Sequence, residues 1–355
     1  MKKSLMTLAV LAACSSSFAQ STVGVYGVAD VFFGTESGTN VPSQTVIDSG
    51  SGTGASRYGI KGVDDLGDGW KAVFLLENGF SVDTGAEAEV EATPKQTFSR
   101  QSYVGFVGEF GEVRLGRTWT PFDDVSSMAH AAFDSALSPQ THVWASTHYQ
   151  ANPANTIYYA APNLAGFRSA LSYSTTEDED NVIKGSSSPR AIMSVSVQYA
   201  DGPLNVGFAS QSEKGRNPDV DDMNVTFMRV NATYDFGVAK LLMGYGRTRN
   251  ASLIPTVAQG ALTNVFGFKS DAAVTEWEVG ADVPLSSVLT LSGGLAYSTD
   301  NEAAGDASRR GYSLAAAYSL SRRTTLYGGF NASTTSFNSE NYSSRATAMG
   351  VRHAF

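Results

Sequence analysis

The 355-residue chain predicts an all-β fold, namely a transmembrane antiparallel β-barrel of sixteen strands. Three observations predict this fold. Apolar and polar residues alternate along many segments, the connections between those segments are alternately short and long, and no stretch after residue 19 approaches the roughly 18 consecutive apolar residues of a membrane helix. A closed barrel is the remaining way to cross a membrane, because its strands satisfy one another's backbone hydrogen-bonding groups.

The alternation has a period of two residues, which is the period of side chains along a β-strand. Residues 276–283 read Glu-Trp-Glu-Val-Gly-Ala-Asp-Val and residues 312–320 read Tyr-Ser-Leu-Ala-Ala-Ala-Tyr-Ser-Leu, so each segment has one apolar face. Tyr199, Tyr297 and Tyr318 lie near segment ends, as in the aromatic belts at membrane–water boundaries. The same alternation also fits a soluble sheet whose apolar face is packed inward.

The order of strands and connections supports the membrane interpretation. The expected strands are 21–34, 54–62, 69–79, 97–108, 111–118, 154–162, 167–176, 190–201, 204–213, 223–236, 238–250, 272–283, 287–299, 309–319, 324–335 and 344–355. Short connections contain turn-forming residues, such as Asp64-Asp65-Leu66-Gly67, whereas long ones such as 35–53 are rich in Ser, Thr, Asn, Asp and Gly. Short turns on one side, long loops on the other and an even strand number are typical of outer-membrane barrels.

The first nineteen residues have the features of a secretory signal peptide. Lys2 and Lys3 precede a short apolar stretch, and Ser17-Phe18-Ala19 offers small residues at the positions before a cleavage site. The expected organisation is therefore a signal peptide, 1–19, followed by a single barrel domain, 20–355. Leu11-Ala12-Ala13-Cys14 also resembles a lipoprotein processing box, which leaves the processing route open. Because Cys14 is the only cysteine, cleavage after residue 19 would leave no thiol.

Charge and motifs argue against several classes of function. The formal net charge is −9, and an acidic chain is unsuited to binding nucleic-acid phosphates. His130, His142 and His148 share the longest loop, but their spacing matches no compact metal-binding motif. We find no Gly-x-Ser-x-Gly, His-Glu-x-x-His or phosphate-binding loop, so we expect neither an enzyme nor a cofactor.

A family resemblance rests on several stretches that occur in a fixed order. They are Val-Tyr-Gly-Val-Ala-Asp (25–30), Ser-Arg-Tyr-Gly-Ile-Lys-Gly (56–62), Asp-Leu-Gly-Asp-Gly (65–69), Gly-Glu-Val-Arg-Leu-Gly-Arg (111–117), Tyr-Ala-Ala-Pro-Asn-Leu-Ala-Gly-Phe (159–167) and Gly-Val-Arg-His-Ala-Phe (350–355). Through them the sequence resembles the general porins of Gram-negative bacteria, most closely their betaproteobacterial branch. The resemblance implies an outer-membrane homotrimer surrounded by lipid and lipopolysaccharide, with short periplasmic turns, long extracellular loops, and one pore per barrel for passive diffusion of ions and small hydrophilic solutes.

The resemblance also implies a constriction. The third long loop, 119–153, is expected to fold into the lumen and to present acidic side chains to a basic wall. The expected basic wall consists of Arg57, Lys61, Arg100 and Arg114. The expected acidic residues of the loop are Asp123, Asp124 and Asp134. The alternation itself turns Arg57 and Lys61 to the same side, but any of these charges could instead be an ordinary solvated group or a turn cap.

Three further positions bear on the resemblance. Asn152 stands where the branch often has another arginine, which puts a strong anion preference in doubt. The terminal Phe355 matches the aromatic residue read by the outer-membrane assembly machinery, and it also fits as the last lipid-facing residue. Glu77 follows an inward alternation from Lys71 and is a further candidate for the acidic side.

Two other functions remain open from the sequence. A channel specific for one solute class, such as small organic acids or sugars, would use aromatic residues of the third loop, although these residues could simply pack the loop against the wall. The candidates are Trp119, Phe122, Phe133, Trp144 and Tyr149. A surface adhesin or receptor would use the long loops, which commonly carry binding sites.

Overall fold

The structure is a computed structural model. It describes residues 21–39, 41–49, 55–87, 97–175, 191–214, 224–251, 258–259, 262–263, 273–300, 307–337 and 339–355. The predicted signal peptide, 1–19, lies outside the described residues.

The strands of the described residues follow the predicted alternation. They are β1 (Thr22–Gly38), β2 (Val41–Asp48), β3 (Arg57–Gly67), β4 (Trp70–Gly79), β5 (Gln101–Gly108), β6 (Gly111–Arg117), β7 (Thr156–Ala160), β8 (Phe167–Ser174), β9 (Ala191–Asp201), β10 (Leu204–Lys214), β11 (Asn224–Asp235), β12 (Lys240–Arg249), β13 (Ala258–Gln259), β14 (Leu262–Thr263), β15 (Ala273–Pro284), β16 (Leu289–Asp300), β17 (Ser308–Ser319), β18 (Thr324–Phe337) and β19 (Glu340–Ala354).

These strands form a closed antiparallel barrel with sixteen strand positions in the described part of the chain. Each strand pairs with its neighbours, and β19 pairs with β1 to close the sheet. β2 and β3 share one position, because β2 pairs with the Phe32–Gly38 half of β1 and β3 pairs with the Thr22–Val28 half. The short strands β13 and β14 pair only with each other. The predicted fold class is confirmed.

The two faces of the barrel differ as the sequence predicts. On β15, Trp277 and Val279 are 44% and 47% exposed on the outside, whereas Glu276 and Glu278 are buried inside. Tyr58 and Ile60 on β3 likewise point outward, at 43% and 39% exposure. The apolar face therefore surrounds the barrel and the polar face lines its interior, which rules out the soluble sheet with an apolar core.

Several predicted boundaries were wrong, and two stretches expected to be connections form strand instead. The turn expected at Asp64–Gly67 lies instead at Asp68 and Gly69, which both have positive φ angles of 51° and 79°, so β3 continues through the two aspartates. The segment 35–53 was expected to be a loop throughout, but β1 continues to Gly38 and β2 occupies Val41–Asp48. Its content of Ser, Thr and Gly suggested a loop. The segment also contains β-branched residues that pair with β1, for example Val46 opposite Gly34.

The connection from β6 to β7, residues 118–155, is named loop 3 below, and it folds into the barrel. It contains helix α1 (Pro121–Ser126), helix α2 (Ala131–Asp134) and two short 3₁₀ turns. α1 begins after Thr120, whose side chain caps the amide of Asp123, and Pro121 suits the first helical position. None of the described helices is long and apolar enough to cross a membrane.

An apolar core lies between loop 3 and the inner wall. Phe122 and Val125 from α1 pack against Phe227 of β11 and Val274 of β15, and all four side chains are buried. This packing holds loop 3 against one side of the barrel and leaves the opposite side open.

Candidate pore constriction

Polar side chains of the inner wall bind the backbone of loop 3. The amide nitrogen of Asn231 donates to the carbonyl oxygens of Val125 and Ser126, at 2.8 and 3.0 Å. The carboxylate of Glu278 accepts from the amide of Ala131 at 2.8 Å. Similar bonds come from Ser194, Glu213, Ser292, Ser298 and Asn331. Inward-facing polar residues from β9 to β18 therefore satisfy loop backbone groups that would otherwise lack partners inside the barrel.

A buried arginine forms the centre of this anchorage. Arg229 of β11 lies over the ring of Trp144, with 4.6 Å between the guanidinium carbon and the ring centroid. It donates to the carbonyl oxygens of Ser126 and Ser146, at 3.5 and 3.2 Å, and to the hydroxyl of Ser146. The Ser146 hydroxyl in turn donates to Glu276. These residues tie two distant parts of loop 3 to β11 and β15.

The open side of the barrel forms a cavity of about 950 Å³. Its wall carries Arg57 from β3, Arg100 from the segment before β5, and Arg352 from β19. Loop 3 contributes Asp123 and Asp134 to the same cavity. The structure therefore brings two predicted basic residues and two predicted acidic residues together across one space. Glu36 and Asp48, from β1 and β2, also line it.

Glu77 forms ion pairs with two arginines of the wall. Its carboxylate pairs with the Nε atom of Arg100 at 2.8 Å and with the Nε atom of Arg57 at 3.4 Å, and it accepts from the hydroxyl of Tyr26 at 2.7 Å. Two guanidinium groups thus share one carboxylate, and Arg352 adds a third positive charge to the wall. The acid predicted for the acidic side lies among the bases.

Asn152 fixes the position of Arg100 through the backbone. Its side-chain amide donates to the carbonyl oxygens of Ser99 and Arg100, at 3.2 and 2.7 Å. The Arg100 guanidinium carbon lies 5.0 Å from the ring centroid of Trp119. The residue that departs from the arginine expected here therefore supports the neighbouring arginine instead of adding a charge.

Lys61 and Arg114 lie outside this cavity. Lys61 is four residues nearer the short-turn end of β3 than Arg57, and its amine lies 5.1 Å from the ring centroid of Tyr26. Arg114 pairs with Glu112 at 2.7 Å and lies over the ring of Tyr158 at 4.7 Å. Both side chains face inward, as predicted, but their part in the constriction stays a prediction.

The three acids of loop 3 have different surroundings. Asp123 accepts a hydrogen bond of 2.5 Å from the hydroxyl of Tyr149, and burial raises the pKa of Asp123 to about 7. Asp124 points away from the cavity and accepts from the hydroxyl of Tyr158 at 3.2 Å. The side chain of Asp134 is half-exposed, and the charge and hydrogen bond of His130, 2.6 Å away, lower its pKa.

The loop aromatics divide between packing and lining. Phe122 and Trp144 are fully buried between loop 3 and the wall. Trp119, Phe133 and Tyr149 contribute to the lining of the cavity. The packing interpretation therefore applies to the first pair, and Phe133 and Tyr149 also pack against buried clusters while they line the cavity. This lining does not identify a solute class.

Sequence reasoning missed several residues of the site. Arg352 follows the outward Val351 in the alternation, so its inward direction was available from the sequence. Arg229 and Glu276 also alternate inward, but their role depends on contact with loop 3, which no local pattern shows. Across the described ranges, no group of three or more His, Cys, Asp or Glu side chains is arranged to hold a metal ion.

Comparison with known proteins places this architecture in a family. The chain matches the Gram-negative porin family over residues 7–338. It is 29% identical to outer membrane porin protein 32 of Delftia acidovorans and 28% identical to an outer membrane porin of Bordetella pertussis, with full coverage of both chains in each case. The fold is similar to that of an anion-selective porin from Comamonas acidovorans, with a TM-score of 0.72 and 25% identity over 95% of this chain and all of that one. The chain therefore belongs to the Gram-negative porins, which are non-enzymatic, water-filled channels for passive diffusion across the outer membrane.

Proposed function

We propose that ions and small hydrophilic solutes pass through a constriction between loop 3 and the wall of Arg57, Arg100 and Arg352, and that this wall favours anions. The observation that carries the proposal is that Arg57 and Arg100 share the single carboxylate of Glu77 while Arg352 adds a third guanidinium group to the same wall. Preorganised charges of one sign on a pore wall sort ions at close range.

The effect of a charge on a passing ion depends on the distance between them, so the net charge of −9 does not by itself set the ion preference. Exposed charges more than about 8 Å from a passing ion are largely screened at physiological salt. A unit charge about 4 Å away contributes about 1 kcal/mol in water and about 4 kcal/mol where the effective dielectric constant is near 20. The charges lining the cavity therefore dominate over those of the distant loops.

The acids that line the cavity oppose the anion preference, and two of them do so weakly. Asp134 is paired with His130, and the pKa of Asp123 near 7 leaves that carboxyl partly protonated at neutral pH. Glu36 and Asp48 oppose the preference. The description of the Comamonas acidovorans porin as anion-selective agrees with the proposed direction.

The assembly that we propose is a homotrimer of residues 20–355 in the outer membrane, surrounded by lipid and lipopolysaccharide. Vibrio cholerae OmpT, whose structure has a TM-score of 0.66 and 15% identity over 94% of this chain and 99% of that one, is known in a trimer form. Cleavage of residues 1–19 would precede assembly. Phe355 is 51% exposed beyond the last strand, where assembly machinery can reach it.

Planar-bilayer recording tests the channel and its selectivity. Folded protein should give stepwise conductance in groups of three, and a salt gradient should give a reversal potential on the anion side. Arg57→Ala should move that potential toward cations. Lys61→Ala removes the same charge outside the cavity and should move it less.

The proposal has two independent points of failure. Absence of any conductance steps from folded protein would contradict the channel itself. A wild-type potential on the cation side, or equal shifts for Arg57→Ala and Lys61→Ala, would contradict the role of the basic wall while leaving the channel intact.

A further inference from the structure

Glycines of the inner wall lie where loop 3 rests on the barrel. Each occupies an inward position of a strand, and each would bring a β-carbon into contact with loop 3. They are Gly207 on β10, Gly244 and Gly246 on β12, Gly280 on β15, Gly294 on β16 and Gly311 on β17. They are called the loop-seat glycines below.

The space at these glycines is occupied by loop atoms. A β-carbon at Gly311 would lie 2.2 Å from the carbonyl oxygen of Pro139 and 2.8 Å from a methyl carbon of Val143. Distances below about 3.0 Å are essentially never seen for β-carbons, so Pro139 would have to move. Gly280 and Gly294 lie opposite each other, and a β-carbon at either would be 2.7 Å from that of Ala131.

The open side of the barrel offers a contrasting position. Gly24 on β1 also faces inward, between the outward Val23 and Val25, but a β-carbon there would meet no atom within 4 Å. An inward glycine is therefore not in itself a requirement of this barrel. Contacts with loop 3 occur on the side that carries it, whereas a β-carbon at the inward Gly59 or Gly350 would meet neighbouring strands.

We propose that the loop-seat glycines are pore-size determinants, because the absence of their side chains lets loop 3 lie close to one wall and keeps the opposite passage wide. This inference rests on the proposed constriction at loop 3.

The direction of the effect follows from what surrounds the loop. Loop 3 has the hydrogen-bonded barrel on one side and the open cavity on the other. The paired strands of a closed sheet resist displacement more than a loop beside open space does. A new side chain at a loop-seat glycine therefore moves the loop into the cavity. The segment near Gly311 lines that cavity through Leu137, Gln140 and Thr141.

Alanine substitutions at these glycines should differ in how far they move loop 3. At Gly311 the nearest atom belongs to the loop backbone, which can retreat only by moving the loop. At Gly207 the nearest atoms are the sulfur of Met128, at 2.9 Å, and the methyl groups of Val125, at 3.1 Å, so a rotation of Met128 would absorb part of the strain. At Gly24 nothing needs to move.

Single-channel recording of three alanine variants tests this order. Gly311→Ala should lower the conductance of each step by about a third, because ion flow follows the open width of the constriction. Gly207→Ala should lower it less, and Gly24→Ala should leave it unchanged. Step size does not depend on the number of folded channels. Liposome swelling with neutral sugars of rising size should show the largest loss for the largest sugar.

A second experiment, with two substitutions that should offset each other, tests the inference even if Gly311→Ala fails to fold. Valine is well suited to strands, so Gly207→Val should fold and narrow the pore. Adding Met128→Ala should restore most of the step size. Unchanged steps in both Gly311→Ala and Gly207→Val, or no recovery with Met128→Ala, would overturn the inference. The selectivity shift of Arg57→Ala would still stand, so failure here is distinct from failure of the constriction.

Discussion

Asp123 is a residue of the constriction whose charge changes with pH. Its carboxyl lies against the hydroxyl of Tyr149 at 2.5 Å, and burial raises its pKa to about 7. A raised pKa means that the neutral form dominates below this value and the carboxylate above it. The charge across from Arg100 therefore changes within the physiological range.

Selectivity should depend on pH through Asp123. Raising the pH from about 5 to about 9 adds a negative charge to each cavity, because the raised pKa lies between these values. The reversal potential should therefore move toward cations, with a midpoint near 7. Asp123→Asn should hold the potential near its acidic value throughout.

Asp124 provides the control for this pH dependence, since it is the neighbouring acid of the same helix but its carboxyl points toward Tyr158, away from the cavity. In Asp124→Asn the reversal potential should still change with pH, with a midpoint near 7. A midpoint that survives Asp123→Asn would assign the titration to another group.

The direction of a side chain was predictable from the sequence where alternation along a strand determines it. The inward direction of Arg57, Lys61 and Arg114 follows from the period of two, and the structure agrees. The partner of Arg57 was not predictable, because the pairing of Glu77 with Arg57 and Arg100 joins different elements across the sheet. A pattern along one strand carries no information about such contacts.

At the scale of elements, loop 3 behaves as a structured insertion. Its helices are too short to be stable alone, so its conformation depends on the wall that binds it. Three successive residues of this loop, Ala132, Phe133 and Asp134, have positive φ angles of 55°, 66° and 49°. Such conformations persist only where surrounding contacts impose them. The sequence predicted that the loop enters the barrel only through family resemblance, since its own residues show no regular period.

Removing the central anchor should loosen loop 3. Arg229→Leu removes the donor to the carbonyl oxygens of Ser126 and Ser146 and the buried positive charge near Glu276, and each buried polar group left without a partner costs about 1–3 kcal/mol. Single-channel currents should then fluctuate between several levels. The outward, exposed Arg249 provides a control for loss of charge, because Arg249→Leu should keep steady steps. Equally steady currents in Arg229→Leu would contradict its role as an anchor.

At the scale of the whole molecule, the barrel depends on the seam between its first and last strands. β1 and β19 pair from Val28 opposite Ala354 to Gly38 opposite Ser344. Backbone hydrogen bonds between Gly27 and Phe355, at 3.0 and 3.1 Å, complete the seam. A β-carbon at Gly27 would lie 2.2 Å from the ring of Phe355, so only glycine leaves space for that ring.

Gly27→Ala should weaken the seam. The added methyl group displaces the ring of Phe355, so the temperature at which the folded protein changes its mobility on detergent gels should fall by several degrees. Gly24→Ala, three residues earlier on the same strand, meets no atom within 4 Å and should leave that temperature unchanged. Equal transition temperatures for both variants would show that the ring can move without cost.

The pairing of β1 with β19 also determines when the barrel can close. Thr35 and Thr347, whose hydroxyl groups are 2.8 Å apart, are 312 residues apart along the chain. Bringing such remote segments together costs about 5 kcal/mol of chain entropy, growing as the logarithm of their separation. Every earlier hairpin can form from neighbouring residues, but this contact must wait for the final strand to be synthesised and exported. Until then an unpaired edge remains at each end of the sheet, and the nascent protein needs protection from joining another copy.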